Sequence, residues 1–206
     1  YSSMMAVYKK VGVKPKGLHI ILENNIPVTR GLGSSAAGIV GGLLAADALT
    51  GSKLDKHQLL NMASAIEGHP DNAAPAIFGG MTVNVTANND IKGVKTKLPD
   101  DLKFAAFLAT KKSRSVLPRK VSMRDAVFNT GRSALLVGSL MTRNYDNIRT
   151  AVDDRLHQKF RKKLIPHVVD VFEYAYRSGA LGVYLSGAGP TVVAMVKADN
   201  TKFEKQ

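Results

Sequence analysis

Apolar positions along the chain recur at helical spacing in some stretches and at strand spacing in others, and the two alternate. Residues 4–11 are apolar enough for one or two helical turns, and Leu18, Ile20, Ile21 and Leu22 read as a strand ahead of Pro27. A helix is expected from Ser34, with Ser34 and Ser35 at its N-cap, Ile39, Leu43 and Ala46 on one face, and Gly51 as its C-cap. Asp55 is placed to cap the next helix, which carries Leu59, Leu60, Met62, Ala63 and Ile66 on its buried side. Gly68 stops that helix and leaves Glu67 in its last turn. Residues 81–86 alternate as a half-buried strand, and residues 93–98 can pair with it across Asn88, Asn89 and Asp90. Pro99, Asp100 and Asp101 then interrupt the pattern, which puts a domain boundary between residues 1–98 and 99–206.

The second half opens with a strand at residues 104–108. Ser122 and Asp125 have capping-box spacing at the start of a long helix through Ala126, Asn129, Leu135 and Leu140. A further helix is expected to carry Ile148, Val152 and Leu156. Pro166 suits the first turn of another, with Val169, Phe172 and Tyr176, that ends at Gly179. Strands at 181–185 and 191–196 flank the turn Ser186-Gly187-Ala188-Gly189-Pro190. Such alternation without repeats favours an α/β or α+β architecture.

Composition narrows the class. The 206 residues contain no cysteine, so a disulfide framework and thiolate metal sites are excluded, as fits a cytoplasmic protein. No apolar run approaches bilayer length, and Tyr1-Ser2-Ser3-Met4-Met5 lacks the regions of a signal peptide, so no membrane partner is expected. The net charge of +13 points either to a solvated basic surface, with non-specific attraction to nucleic acid, or to anionic substrates.

The most informative stretch is Pro27-Val28-Thr29-Arg30-Gly31-Leu32-Gly33-Ser34-Ser35-Ala36-Ala37. Glycines in a turn that runs into a helix turn backbone N–H groups toward an anion, and the helix N-terminus adds unpaired donors and a positive dipole end. Neither the Walker order nor a three-glycine dinucleotide fingerprint is present. The second stretch is Glu67-Gly68-His69-Pro70-Asp71-Asn72-Ala73-Ala74-Pro75. The helix dipole disfavours a carboxylate at a C-terminus, so a cation partner would supply a reason for Glu67; a solvated Glu is the commoner case. Asp71 and Asn72 also suit a plain turn after Pro70.

Taken with its flanks, the first stretch resembles the ATP-binding signature of the GHMP small-molecule kinases. Leu185-Ser186-Gly187-Ala188-Gly189-Pro190-Thr191 resembles the same family's third glycine motif, which supports the phosphate loop. Residues 67–75, 110–118 and 154–161 resemble the members that phosphorylate homoserine. The resemblance implies an α+β fold with a ribosomal S5 domain 2-like N-terminal domain and a ferredoxin-like βα-sandwich C-terminal domain. The family's first motif has no counterpart here, so the chain is expected to be a fragment lacking the first strands of its N-terminal domain; the passage from Leu108 to Thr110 is also shorter than the family's.

The implied activity is ATP-dependent phosphorylation of the side-chain hydroxyl of homoserine to O-phosphohomoserine, for threonine synthesis. ATP and Mg²⁺ are the implied cofactors. Pro27, Arg30, Gly31, Leu32, Gly33, Ser34, Ser35, Ala36 and Ala37 would bind the nucleotide, and Ser35 and Glu67 the metal. Asp71 would hold the substrate's amino group. Asn72 stands where mevalonate-type relatives carry an aspartate base, and an amide cannot take a proton, so transfer without a general base is expected. Thr110, Arg114 and Arg161 would hold the α-carboxylate. His69 and His157 are expected to be structural or exposed. A homodimer is left open. Two alternatives stand beside this reading: a kinase for mevalonate, phosphomevalonate or another small alcohol, and a basic nucleic-acid-binding module of the S5 type, the latter disfavoured by low aromatic content.

Overall fold

The structure is a computed structural model that describes all residues except 89, 109–115 and 204–206. The chain divides into two compact units, one formed by residues 1–28 and 33–97, the other by residues 29–32 and 98–206.

The first unit packs four helices and a hairpin around one core. Helices α1 (Ser2–Val11), α2 (Ser34–Thr50), α3 (Lys56–Glu67) and α4 (Ala73–Phe78) precede strands β1 (Met81–Ala87) and β2 (Asp90–Thr96). Leu43, Val7, Leu59, Leu60, Ala63 and Ile91 are buried together. Gly42 of α2 has a packing reason: a Cβ there would fall 2.2 Å from Ser3 Oγ on α1, so the Ser3 side chain occupies the space a larger residue would need. Asp55 and Gln58 form a full capping box at the start of α3, and such a cap contributes about 1 kcal/mol. Strands β1 and β2 pair antiparallel with Met81 opposite Thr96 and Ala87 opposite Asp90, and Asn88 sits at a φ of 52° in the tight turn between them.

Two expectations in this unit are corrected. Residues 18–22 form no strand: no strand of the described residues lies alongside them, and Ile21 and Leu22 are 78% and 74% exposed. Neither Ser34 nor Ser35 caps α2; the N-cap is Gly33, in the left-handed region at a φ of 74°. Asp71 and Asn72 form the turn expected after Pro70, and it runs directly into helix α4, where Pro75 is tolerated within the first turn because amides there have no intrahelical partner to lose.

The second unit is built on an antiparallel sheet of order β3-β5-β4, with β3 at Leu102–Phe107, β4 at Gly182–Leu185 and β5 at Val192–Lys197. Helices α5 (Met123–Thr142), α6 (Ile148–Ala151), α7 (Gln158–Arg161) and α8 (Val168–Arg177) complete it. Phe172, Ala175 and Val168 of α8 pack on Val183, Leu185, Val192 and Ala194 of the sheet. All pairings in both sheets are antiparallel, which resolves the α/β alternative in favour of α+β.

Ser122 caps α5 by accepting the amide of Asp125, at 3.0 Å. The single helix expected through Ile148, Val152 and Leu156 is instead broken after Ala151. Asp154 is the physical reason: its carboxylate accepts the amides of His157 at 2.7 Å and Gln158 at 2.6 Å, starting α7 afresh, and also accepts Asn129 Nδ2. Pro166 precedes α8 rather than lying in its first turn, because His167 at a φ of 56° is the N-cap.

Burial works against ionising Asp154, but the amides of Gln158 and His157 and the Asn129 side chain outweigh it and hold the carboxyl below the ordinary aspartate range. The stability this adds is present above the unfolded aspartate pKa of about 4 and is lost as pH falls through the lower folded value. Asp154→Asn is therefore expected to flatten the acid limb of the urea-midpoint profile; an unchanged limb would show that Asp154 adds nothing to acid stability.

Candidate active site

In the first unit, four residues from the two informative stretches converge at the N-terminus of α2. Ser35 Oγ donates to Glu67 Oε2 at 2.9 Å, bridging the first turn of α2 and the last turn of α3. A Cβ at Gly33 would lie 3.4 Å from Asn72 Oδ1, so the Asn72 amide sits directly against the helix entrance. Gly33 O accepts the amide of Ala37 at 3.0 Å. No side chain caps the 17-residue helix α2 and its own first turn carries no acid, so the Glu67 carboxylate on Ser35 is a negative charge brought to its positive end from α3. These groups fit an anionic ligand with a bound cation: helix amides for the anion, and a carboxylate and hydroxyl for a hard metal.

Ser34 Oγ accepts a hydrogen bond from Asn24 Nδ2 at 3.2 Å, and the same amide holds Ile26 O at 3.0 Å. Asn24 was not singled out from the sequence. Its signal was the Asn-Asn pair just before the Ile-Pro entry to the loop, a common turn composition that names no partner. Asp71 is exposed, and its carboxylate contacts Nδ1 of exposed His69.

The rest of the loop, residues 29–32, belongs to the second unit, where the closing turn holds it. Ser186 Oγ donates to Gly31 O at 2.7 Å, and the Thr191 amide reaches Arg30 O at 3.4 Å. A Cβ at Gly31 would lie 2.2 Å from Ser186 O, and Gly31 has a φ of 78°. Only glycine satisfies both conditions.

The turn is itself supported from α7. Gln158, 5% exposed, accepts the Leu185 amide at 3.0 Å and donates to Val152 O at 2.9 Å. Arg161 Nη1 donates to Gly187 O at 2.8 Å and to His157 Nδ1 at 3.2 Å. Burial lowers the His157 pKa, Asp154 opposes this, and the Arg161 guanidinium lowers it again. The net effect favours the neutral ring, as an acceptor of the Arg161 bond must be. Arg161 is thus fixed beside the glycine turn, while Thr110 and Arg114 lie outside the described residues. Among the described residues no group of three or more His, Cys, Asp or Glu side chains is arranged to hold a metal, so a metal here would draw its remaining ligands from elsewhere.

The antiparallel α+β fold and the glycine-led helix entrance define a class of small-molecule phosphotransferase. Residues 1–80 match the family described as GHMP kinases N terminal domain, and residues 123–204 match GHMP kinases C terminal. The chain is 48% identical over 202 residues to a homoserine kinase of Clostridium botulinum, covering 95% of this chain and 68% of that relative. It is 47% identical over 207 residues to a homoserine kinase of Caldanaerobacter subterraneus, covering 98% and 66%. The crystal structure of a homoserine kinase from Cytophaga hutchinsonii superposes with a TM-score of 0.88 at 29% identity, covering 98% of this chain and 68% of that one. The chain belongs to the homoserine kinase branch of the GHMP kinase family. It spans about two thirds of the length of these relatives. Among the described residues, no helix is long and apolar enough to cross a membrane.

Proposed function

We propose that the protein transfers the terminal phosphoryl group of ATP to the side-chain hydroxyl of homoserine. The observation that carries this reading is the Ser35–Glu67 hydrogen bond at the uncapped entrance of α2, with Asn72 beside Gly33, in a chain of this family. Backbone amides of residues 31–37 hold the phosphates, and Ser35 and Glu67 hold Mg²⁺. The metal, when bound, neutralises charge that develops during transfer. Pro27, Arg30, Leu32 and Ser34 shape the loop, and Asn24 fixes Ser34.

Asp71 provides a carboxylate for the acceptor's ammonium group, and it exchanges His69 for that partner on binding. Arg161 provides a guanidinium for the α-carboxylate; its planar fork can serve Gly187 O and a second acceptor together. Thr110 and Arg114 are assigned the same carboxylate from the sequence. Residues 1–98 and 99–206 are read as the two domains of this kinase.

Asn72 cannot accept a proton, so it orients the hydroxyl, and the proton passes to the phosphoryl group being transferred. Asn72→Ala is expected to lower kcat by about 10–100-fold, a positioning loss, without removing an acidic limb from the pH–rate profile. A neutral-range ionisation in kcat that vanishes in the variant would overturn transfer without a base.

The assignment as a whole is tested by ADP release from the full-length protein with homoserine, with mevalonate and with no acceptor. Turnover that depends on homoserine supports it. Preference for mevalonate, or release independent of acceptor, contradicts it.

A further inference from the structure

The second unit contains a cavity of about 560 Å³ to which neither Arg161 nor the closing glycine turn contributes. That volume lies in the range of small-molecule sites. Four cations line it, Arg132, Arg149, Lys159 and Lys162, against two acids, Asp153 and Asp154.

The partners of these charges are unequal. Asp154 is committed to the start of α7 and to Asn129. Asp153 accepts the amide of Asp154 and lies 3.9 Å from Arg132 Nε. Lys159 faces Asp125 at 3.4 Å. Arg149 and Lys162 remain, and among the described residues neither has a carboxylate within salt-bridge distance. Each lies instead on a ring: the Arg149 guanidinium is 4.3 Å from the centre of Tyr176, and Lys162 Nζ is 3.7 Å from the centre of Phe172. Burial lowers the Lys162 pKa, and the more distant Asp153 and Asp154 oppose this only in part. A desolvated ammonium with no adjacent anion is costly, and an anionic ligand would relieve that cost.

A single carboxylate would be satisfied by one guanidinium fork, whereas this pair of a fork and a point charge matches a dianion with three oxygens. The space left over is far larger than a bare phosphate requires, and Val152 and Val183 give it an apolar wall. We propose that this cavity is a second ligand site, for a small phosphomonoester whose phosphate meets Arg149 and Lys162 and whose organic part lies against Val152 and Val183.

The test is calorimetric titration of the full-length protein with O-phosphoserine, with ADP saturating so that the glycine loop is already filled. One molecule per chain is expected to bind in this cavity, beyond any held by the acceptor site of Asp71 and Arg161. Affinity should fall at least about tenfold, the loss of charge-assisted contacts, in the double variant Arg149→Gln, Lys162→Met. It should persist in Arg149→Lys, Lys162→Arg. Undiminished affinity in the neutral variant, no binding at millimolar concentration, or equal binding of succinate would each overturn the proposal. Should the neutral variant fail to fold, the Lys162 ammonium resonance of the unsubstituted protein decides: it must shift on titration with O-phosphoserine, and a stationary signal overturns the site.

Discussion

Gly31→Ala is expected to abolish measurable phosphoryl transfer while leaving most of the first unit's fold in place. Two independent costs fall on the new methyl group. A left-handed backbone costs an alanine roughly 1–2 kcal/mol, and the Cβ would sit 2.2 Å from Ser186 O, a distance that no real Cβ contact shows. The obstacle is backbone rather than the end of a mobile side chain, so the closing turn must yield. Relief would separate Gly31 O from Ser186 Oγ and Arg30 O from the Thr191 amide. The measurements are ATP affinity and thermal midpoint. Parental affinity in the variant would mean that the latch between the turn and Gly31 has no bearing on the nucleotide.

Glu67→Gln is expected to lower kcat by about 10²–10³-fold, the range for removing one preorganised electrostatic contact, and to raise the Mg²⁺ concentration needed for half-maximal rate. The change keeps shape and one hydrogen-bonding oxygen, so the Ser35 contact can persist and α3 keeps its length. Charge is what is removed. Ser35→Ala, which deletes a neutral oxygen, should have a smaller effect. A Glu67→Gln variant with the parent's magnesium dependence would remove Glu67 from the metal site.

Local signals account for most of what the sequence disclosed. Asp55 as a cap, Ser122 with Asp125, and Gly51 and Gly68 as helix stops each act over a few residues, and each stands where the pattern placed it. The hairpin expected from residues 81–86 and 93–98 was legible because its pairing is also local, although its second strand starts three residues earlier, at Asp90. Failures came where a non-local partner decides. Leu18, Ile20 and Leu22 have strand composition, but a strand requires a neighbour for its backbone groups. The helical period through Ile148, Val152 and Leu156 was overruled by Asp154, whose carboxylate takes two amides and a side chain from α5.

The site shows the same division. Gly31, Gly33 and Ser35 were conspicuous because a glycine turn runs straight into a helix, and Glu67 because a carboxylate is disfavoured at a helix C-terminus. Asn24 and Gln158 were not, since an amide in a turn or on a short helix is ordinary until its partners are known. Ser34 and Ser35 looked like caps by composition, yet one is held by Asn24 and the other by Glu67. Capping preference lost to two longer-range hydrogen bonds.

The bond from Ser186 to Gly31 O spans 155 positions of sequence, and it bears on how the protein is made. At roughly 5–20 residues per second, the ribosome needs about 8–30 seconds after synthesising Gly31 to supply the serine that anchors it. During that interval the residues of α1 to α4 and their hairpin that pack together are synthesised, while residues 29–32 await their support. The nascent chain thus acquires the residues of its helical body well before it acquires a finished phosphate loop, and premature termination ahead of Ser186 would release a protein that cannot latch that loop.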